Sequence, residues 1–127
     1  MSIDFTQIHH FAPDEFQKPD LLRWDMLKKL DGLREQCGFG LVVTSSFRAL
    51  DHNANVGGVK DSAHCPAPDG FYSGIDLSTG RLTSWQLYKL ITAAIGLGFE
   101  RIGIYPKHIH LDIEDRLPHP VMWVGKD

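Results

Sequence analysis

HIHLDI, residues 108–113, alternates polar and apolar side chains along its whole length. Successive side chains of a β-strand point to opposite faces, so His108, His110 and Asp112 are expected to share one face of this strand. The three apolar residues then share the other face and anchor the strand in a core. Two imidazoles on one face can aim into one site, which is what a zinc centre needs.

A second group of potential ligands lies upstream, in residues 45–73, where hydrophobic periodicity disappears. A loop of this length inside a compact domain is usually functional or disordered, and its histidines favour function. Beyond the loop, Asp76 lies between two apolar residues, where a carboxylate is costly unless it is paired or bound to a metal. It can equally cap a turn or pair with an arginine. The candidate zinc ligands are His64, Asp69, Asp76, His108, His110 and Asp112.

The bulk properties exclude several classes of protein. At 127 residues the chain fits a single domain, residues 1–127, around one core. The formal net charge of −3, with no basic cluster, argues against nucleic acid as a partner. No apolar run can span a bilayer, and the N-terminus has no secretory signal, so we expect a cytoplasmic monomer without stable membrane association.

Hydrophobic spacing predicts two amphipathic helices. Asp20 is a plausible N-cap for the first, which continues to Cys37, and Thr83 and Gln86 have the spacing of a capping box that opens the second. We expect strands at residues 41–44, 75–77, 99–105 and 108–113, the last two paired as a hairpin. The expected fold is α+β, with a small antiparallel sheet and helices packed largely on one side.

Several motifs together resemble those of one enzyme family. The sequences TSSFR, residues 44–48, and DHNANVGGVKDSAH, residues 51–64, resemble the signature loop of the M15 zinc peptidases. These include D-Ala-D-Ala carboxypeptidases and phage L-alanyl-D-glutamate endolysins, which share a hedgehog-like fold. The likeness continues at residues 11–20, 74–77, 103–105 and 110–112, and weakly at 123–124, so it covers nearly the whole chain.

The resemblance implies roles for individual residues. His64, Asp76 and His110 match the three zinc ligands of the family. Arg48 matches an arginine that holds the substrate carbonyl or developing oxyanion, and a guanidinium there stabilises the charge that appears as water attacks.

Ser62 matches a serine that contacts substrate. In relatives with a His-x-His motif the first histidine is an unligated active-site residue, a role that His108 fits as a base or hydrogen-bond donor. His52 and Asp112 are candidate hydrogen-bond partners of the ligands, because metal-bound groups usually need such support.

The sequence departs from the family pattern at two points. The family usually spaces its first histidine and its aspartate as HxxxxxxD, whereas residues 65–75 separate His64 from Asp76 here. We expect the added turn to bulge outward and shape the substrate groove. Relatives often carry a carboxylate three residues before the last zinc histidine, where this chain has Lys107, which cannot act as the base.

These observations predict a zinc peptidase that acts on peptidoglycan stem peptides, as an L-alanyl-D-glutamate endopeptidase or a D,D-carboxypeptidase. The bare catalytic domain resembles phage lysis enzymes that reach the wall after release. Lys107 keeps open a non-catalytic, zinc-stabilised module that binds the wall or a phage structural partner. A third hypothesis is a cysteine hydrolase built on Cys65, although a small buried residue is the simpler interpretation. Tyr105 can line the cleft, although a tyrosine at a hairpin edge is more often a packing residue, and the tryptophans, including Trp123, are expected to stabilise the core.

Overall fold

The computed structural model describes residues 3–49 and 62–126. Within these ranges the chain forms two α-helices and a five-stranded mixed sheet, which confirms the predicted α+β class. The helices are α1 (Trp24–Cys37) and α2 (Ser84–Gly96). The strands are β1 (Val43–Ser45), β2 (Ile75–Ser78), β3 (Arg101–Ile104), β4 (His108–Asp112) and β5 (Val121–Val124). Neither helix is long and apolar enough to cross a membrane.

The strands lie in the order β1-β2-β4-β3-β5. The first four are antiparallel, and β3 and β4 form the predicted hairpin. The expectation of an antiparallel sheet is wrong at one edge, because β5 pairs with β3 in parallel. β5 is not predicted as a strand from the sequence, since its four residues do not alternate and so carry no period-2 signal.

The helix ends follow local capping chemistry. Thr83 and Gln86 form the predicted capping box at the start of α2. The predicted helix α1 ends at Cys37 as expected, but its predicted N-cap is wrong. Asp20 belongs to a separate 3₁₀ turn, Pro19–Leu21, and the helix begins at Trp24 with Arg23 as its N-cap. Gly38 ends α1 with a φ of 76°, a left-handed conformation that glycine adopts without strain.

One face of the sheet is buried against the helices. Ile75 and Leu77 of β2 and Ile109 and Leu111 of β4 are fully buried there. They join one continuous core with residues from both helices: Met26, Leu27, Leu30, Leu33, Cys37, Leu90, Ala93 and Ala94. Burial of each large apolar side chain contributes about 1.5–3 kcal/mol, so this face holds the strands rigidly in register.

The opposite face of the sheet carries the polar residues. The register places Asp76 of β2 directly opposite His110 of β4, and His110 directly opposite Gly103 of β3. Ser45 and Trp123 extend this row to the two edge strands. A row of directly opposed residues has Cβ atoms about 5 Å apart, so side chains in it meet.

The turn that separates His64 from Asp76 is anchored to the segment before α1. Arg23 forms an ion pair with Asp69 at 2.9 Å, and Tyr72 exchanges backbone hydrogen bonds with Leu21 and Arg23. The tip of the turn, residues 68–70, is exposed, in keeping with the expected outward bulge. Its predicted part in a substrate groove remains a prediction.

Candidate metal site

Three side chains converge on the polar face of the sheet. The Nε2 atom of His64 and the Nδ1 atom of His110 each lie 3.1 Å from Oδ1 of Asp76. The two nitrogens lie 3.2 Å apart. All three residues are buried, so a cluster of one carboxylate and two imidazoles faces a single point inside the protein.

The separations of these atoms fit a zinc ion. Zinc bonds to nitrogen and oxygen of about 2.0–2.2 Å, arranged tetrahedrally, place ligand atoms roughly 3.3–3.6 Å apart. The observed separations of 3.1–3.2 Å are slightly shorter, so small outward movements of these side chains would admit the ion. Two histidines and one carboxylate are also a donor set that catalytic zinc sites use.

Hydrogen bonds on the far side of each imidazole orient the two histidines. Nδ1 of His64 lies 2.7 Å from the carbonyl oxygen of Ser46. Because a carbonyl only accepts, Nδ1 carries the proton and Nε2 presents a lone pair to the cluster. His110 uses the opposite nitrogens, since its Nε2 donates to Oδ2 of Asp112 at 2.6 Å and leaves Nδ1 for the cluster. Support of this kind fixes the tautomer and ring orientation of metal-binding histidines.

Asp112 is itself held by two further donors. It is fully buried, and its Oδ1 accepts from Nε of Arg101 and from the backbone N–H of Glu114, both at 2.9 Å. A buried carboxylate without partners would cost several kcal/mol, and the ion pair with Arg101 offsets part of that cost. The chain of contacts therefore runs from Arg101 through Asp112 to His110.

The cluster also shifts the acidity of its members. Burial alone would raise the pKa of Asp76, but its hydrogen bonds with His110 and His64 outweigh burial and lower that pKa. Burial alone would lower the pKa of His110, but its hydrogen bonds to Asp112 and Asp76 outweigh it and raise that pKa. Asp76 therefore stays ionised at neutral pH, which is the state that binds a cation.

The loop that carries His64 is held tightly against the start of β2. The carbonyl oxygen of Ala63 accepts from the backbone N–H groups of Ser73 and Gly74. A Cβ atom at Gly74 would lie 2.7 Å from backbone atoms of Ala63 and His64, so only glycine permits this approach. This close contact brings His64 beside Asp76, two positions further along β2.

The sequence matches the family model Peptidase M15 over residues 8–112. The chain belongs to the Peptidase M15 family. Comparison with curated protein sequences gives no significant match. The match spans all three residues of the cluster, and it confirms the resemblance to M15 peptidases inferred from the motifs.

The other residues implied by the family resemblance lie at different distances from the cluster. Nε2 of His108 lies 3.7 Å from Oδ2 of Asp76, on the same face of the sheet. The backbone N–H of Arg48 donates to the carbonyl oxygen of His64 at 2.8 Å. The hydroxyl of Ser62 accepts from the backbone N–H of His64 at 3.2 Å, and Ser62 is buried. Their catalytic and substrate-binding roles remain predictions.

Of the six candidate ligands, three form the cluster, and Asp69, His108 and Asp112 do not belong to it. Asp69, considered as a ligand from the residues alone, is instead paired with Arg23 on the turn. His52 lies outside the described residues, so its role as a partner of the ligands stays a prediction. Lys107, at the position where relatives often have a carboxylate, is exposed in the connection between β3 and β4.

Cys65, next to His64, does not have the character of a nucleophile. Its side chain is buried, and burial raises the pKa of the thiol despite the opposing charge of Arg48. The thiolate is the reactive form, so this environment disfavours the cysteine hydrolase considered above.

Two aromatic residues for which the sequence favoured packing lie beside the histidines. The ring of Tyr105 stacks on His108 with 4.4 Å between ring centroids, and the indole of Trp123 lies 5.5 Å from the His110 ring. The feature of the sequence that could have indicated their positions is the pair of glycines that face these rings. Gly103 and Gly125 leave room for these rings, because a Cβ at either position would collide with Trp123 or Tyr105.

Proposed function

We propose that this chain is a zinc-dependent peptidase that hydrolyses peptide bonds in peptidoglycan stem peptides. The observation that carries the proposal is the convergence of His64, Asp76 and His110, with ligand atoms 3.1–3.2 Å apart, in a member of the Peptidase M15 family. His64 Nε2, Asp76 Oδ1 and His110 Nδ1 would hold the zinc ion.

Bound zinc supplies a Lewis acid that polarises a carbonyl and lowers the pKa of water to about 7. The protein's part is to hold the three ligands in one arrangement and in the correct protonation state. The hydrogen bonds from His64 to Ser46 and from His110 to Asp112 support this, because they leave one lone pair on each imidazole facing the site.

Arg48 is the residue proposed to bind the substrate carbonyl as negative charge develops on its oxygen. The backbone N–H of Arg48 donates a hydrogen bond of 2.8 Å to the carbonyl oxygen of His64. The backbone of Arg48 therefore lies next to the loop that carries His64. A guanidinium can donate two hydrogen bonds to one oxygen-bearing group, and donors placed in advance are worth most in the transition state. Ser62, from the same loop, is proposed to contact the substrate backbone.

His108 is the residue proposed to move protons. Its side chain is 22% exposed, so it can reach solvent and substrate, and it lies beside Asp76 without belonging to the three-residue cluster. Lys107 is exposed and carries no carboxylate. An imidazole changes charge near neutral pH, which suits it to accept a proton from water and return one to the leaving amine.

The choice of peptidoglycan rests on the motifs shared with wall-cleaving M15 peptidases. Two scissile bonds suit those motifs, the L-alanyl-D-glutamate bond and the D-alanyl-D-alanine bond. The protein would meet the wall as a water-soluble domain after release from the cell in which it is made. Zinc is the proposed cofactor and a stem peptide the proposed partner.

Lys107 favours a second candidate function. A domain with the zinc ligands but without a carboxylate base can hold wall peptide, or a phage structural protein, without cleaving it. In that case zinc would stabilise the fold and the groove would serve binding. The two candidates differ in whether any bond is broken, so one experiment separates them.

The test is digestion of purified Gram-negative peptidoglycan by the zinc-loaded protein, with mass spectrometry of the released muropeptides. Parallel samples contain a chelator, or a chelator followed by excess zinc. We expect cleavage at one defined bond, its loss with chelator and its recovery with zinc. His119→Ala serves as the control variant, since His119 is an exposed histidine outside the cluster.

Absence of cleavage by protein that holds one zinc per chain would contradict the peptidase proposal. Co-sedimentation with intact peptidoglycan would then distinguish the binding module from a protein with no affinity for the wall. Cleavage that persists fully in chelator, by protein shown to be zinc-free, would contradict the role of zinc.

A further inference from the structure

The imidazole of His108 is held differently from those of His64 and His110. Within the described part of the chain its side chain makes no hydrogen bond, and its approach to Asp76, at 3.7 Å, is too long for one. The contact that restrains it is the face of Tyr105. The two rings are nearly parallel, with an interplanar angle of 9° and 4.4 Å between centroids.

Tyr105 is in turn fixed by Trp123. The indole Nε1 of Trp123 donates a hydrogen bond of 2.9 Å to the hydroxyl of Tyr105. Trp123 lies between charged and aromatic neighbours, with the guanidinium of Arg101 5.3 Å from its ring and the His110 ring at 5.5 Å. The same Arg101 binds Asp112, so one set of contacts supports both His108 and His110.

The sheet backbone is shaped to receive these two rings. A Cβ at Gly103 would lie 2.6 Å from the indole of Trp123, and a Cβ at Gly125 would overlap the ring of Tyr105. Each ring therefore lies directly on the backbone of a neighbouring strand. β5 supplies Trp123 and leads into Gly125, and both residues lie beyond the region matched by the family model.

We propose that Tyr105 and Trp123 form an aromatic brace that fixes the His108 imidazole beside Asp76, which makes Tyr105 a positioning residue for turnover. The inference rests on the proposed function, because it assumes that His108 moves protons there. An imidazole on the solvent-facing side of a site otherwise rotates away from its working position, and a misplacement of about 1 Å can cost roughly 100-fold in rate.

The test compares two variants of Tyr105 with His108→Ala and with a control variant, all in the zinc-loaded protein. Tyr105→Leu removes the stacking ring, and we expect kcat to fall by about 100-fold with KM little changed, approaching the loss in His108→Ala. Tyr105→Phe keeps the ring and loses only the acceptor for Trp123, so we expect a loss of about 5-fold or less. Tyr88→Leu is the matched control, because Tyr88 is 70% exposed on α2, and it should retain wild-type kcat.

A measurement independent of activity reads the brace directly. Stacking on a tyrosine moves the ring-proton NMR signals of His108 upfield, and these signals are identified by their disappearance in His108→Ala. We expect the upfield shift to persist in Tyr105→Phe and to be lost in Tyr105→Leu, with zinc content unchanged in both. Trp123→Phe supplies a second variant that loses the N–H donor but keeps a ring over Gly103.

The outcomes separate this inference from the proposed function. An active wild-type protein whose Tyr105→Leu variant keeps wild-type kcat would overturn the brace and leave the peptidase intact. A zinc-loaded wild type without activity would overturn the peptidase, and the turnover role of Tyr105 with it. If the His108 signals of this inactive protein were not shifted upfield, the stacking on Tyr105 would be contradicted too. If they were shifted, the stacking would be confirmed as a structural contact without a role in turnover.

Discussion

The two faces of the β2–β4 pair differ in how their side chains are held, although they share the same backbone. On the helix-covered face, Ile75, Leu77, Ile109 and Leu111 are buried among apolar neighbours without directional bonds. On the other face, Asp76 and His110 are held by specific atoms at 2.6–3.1 Å. Burial of apolar surface is non-directional, whereas a metal site depends on the direction of each lone pair.

This difference separates residues that stabilise the fold from residues proposed to bind zinc, along a single strand. Apolar burial on the helix-covered face supplies much of the free energy of folding. The buried polar network on the other face contributes little net stability, because desolvation offsets most of its attraction. Substitutions of the adjacent β4 residues His110 and Leu111 should therefore have different effects, the first on zinc binding and the second on the free energy of unfolding.

The largest expected effect is loss of the metal in His110→Ala. Two protein ligands would remain where three are proposed, so the purified variant should lose stoichiometric zinc and all detectable peptidase activity. Zinc content is measured by elemental analysis after dialysis, beside His119→Ala as the control. Retention of one zinc per chain in His110→Ala would contradict the ligand assignment.

The next effect, one residue further along β4, is loss of stability in Leu111→Ala. Truncation of a fully buried leucine leaves a cavity, so the free energy of unfolding should fall by about 2–5 kcal/mol. Urea denaturation measures this, and Val124→Ala is the control because Val124 is 82% exposed. The folded fraction of Leu111→Ala should still bind zinc. Much weaker zinc binding by the folded fraction of Leu111→Ala than by wild type would contradict the separate roles of the two faces.

A smaller effect is expected from Asp112→Asn. The neutral amide is a weaker acceptor for Nε2 of His110 and no longer pairs with the charge of Arg101, so zinc affinity should fall by about 10–100-fold. Competition with a chromophoric chelator measures the affinity. Asp115→Asn, at an exposed aspartate nearby, should leave it unchanged. Equal affinities in the two variants would remove Asp112 from the support of the site.

The smallest effect concerns a titratable group in the core. Burial raises the pKa of Tyr72 to about 12, and its hydroxyl donates to the carbonyl oxygen of Gln17 at 2.7 Å. A raised folded-state pKa stabilises the protein fully below the unfolded value near 10, and this stabilisation is lost as pH rises through about 12. Urea midpoints should therefore fall between pH 9 and 11, and more steeply in wild type than in Tyr72→Phe. Tyr88→Phe should keep the wild-type slope, and identical slopes in all three proteins would contradict the prediction.

The alternation of residues 108–113 is sufficient to predict which side chains of β4 share a face of the sheet, because the period of a strand is fixed by covalent geometry. The capping box at Thr83 was equally local and was confirmed. The meeting of Asp76 with His110 was not local. It depends on β2 lying beside β4, with residues far apart in sequence directly opposed, and no spacing along the chain encodes that register.

The positions of β5, Trp123 and Tyr105 also depend on contacts between residues that are distant in the sequence. β5 pairs with β3 in parallel after an irregular connection, and its four residues gave no strand signal. The sequence favours packing for Trp123 and Tyr105, whereas their rings lie against the two histidines of β4. The misplaced start of α1 has a local cause, since Asp20 serves a 3₁₀ turn in place of the helix.

The most direct test of the account is a crystal of the protein grown with equimolar zinc, with anomalous diffraction recorded on both sides of the zinc absorption edge. The account predicts one strong anomalous peak, within about 2.0–2.2 Å of Nε2 of His64, Oδ1 of Asp76 and Nδ1 of His110. A peak elsewhere, for instance at Cys65, or no peak in protein that diffracts well, would contradict the proposal that the polar face of β2 and β4 is a zinc site.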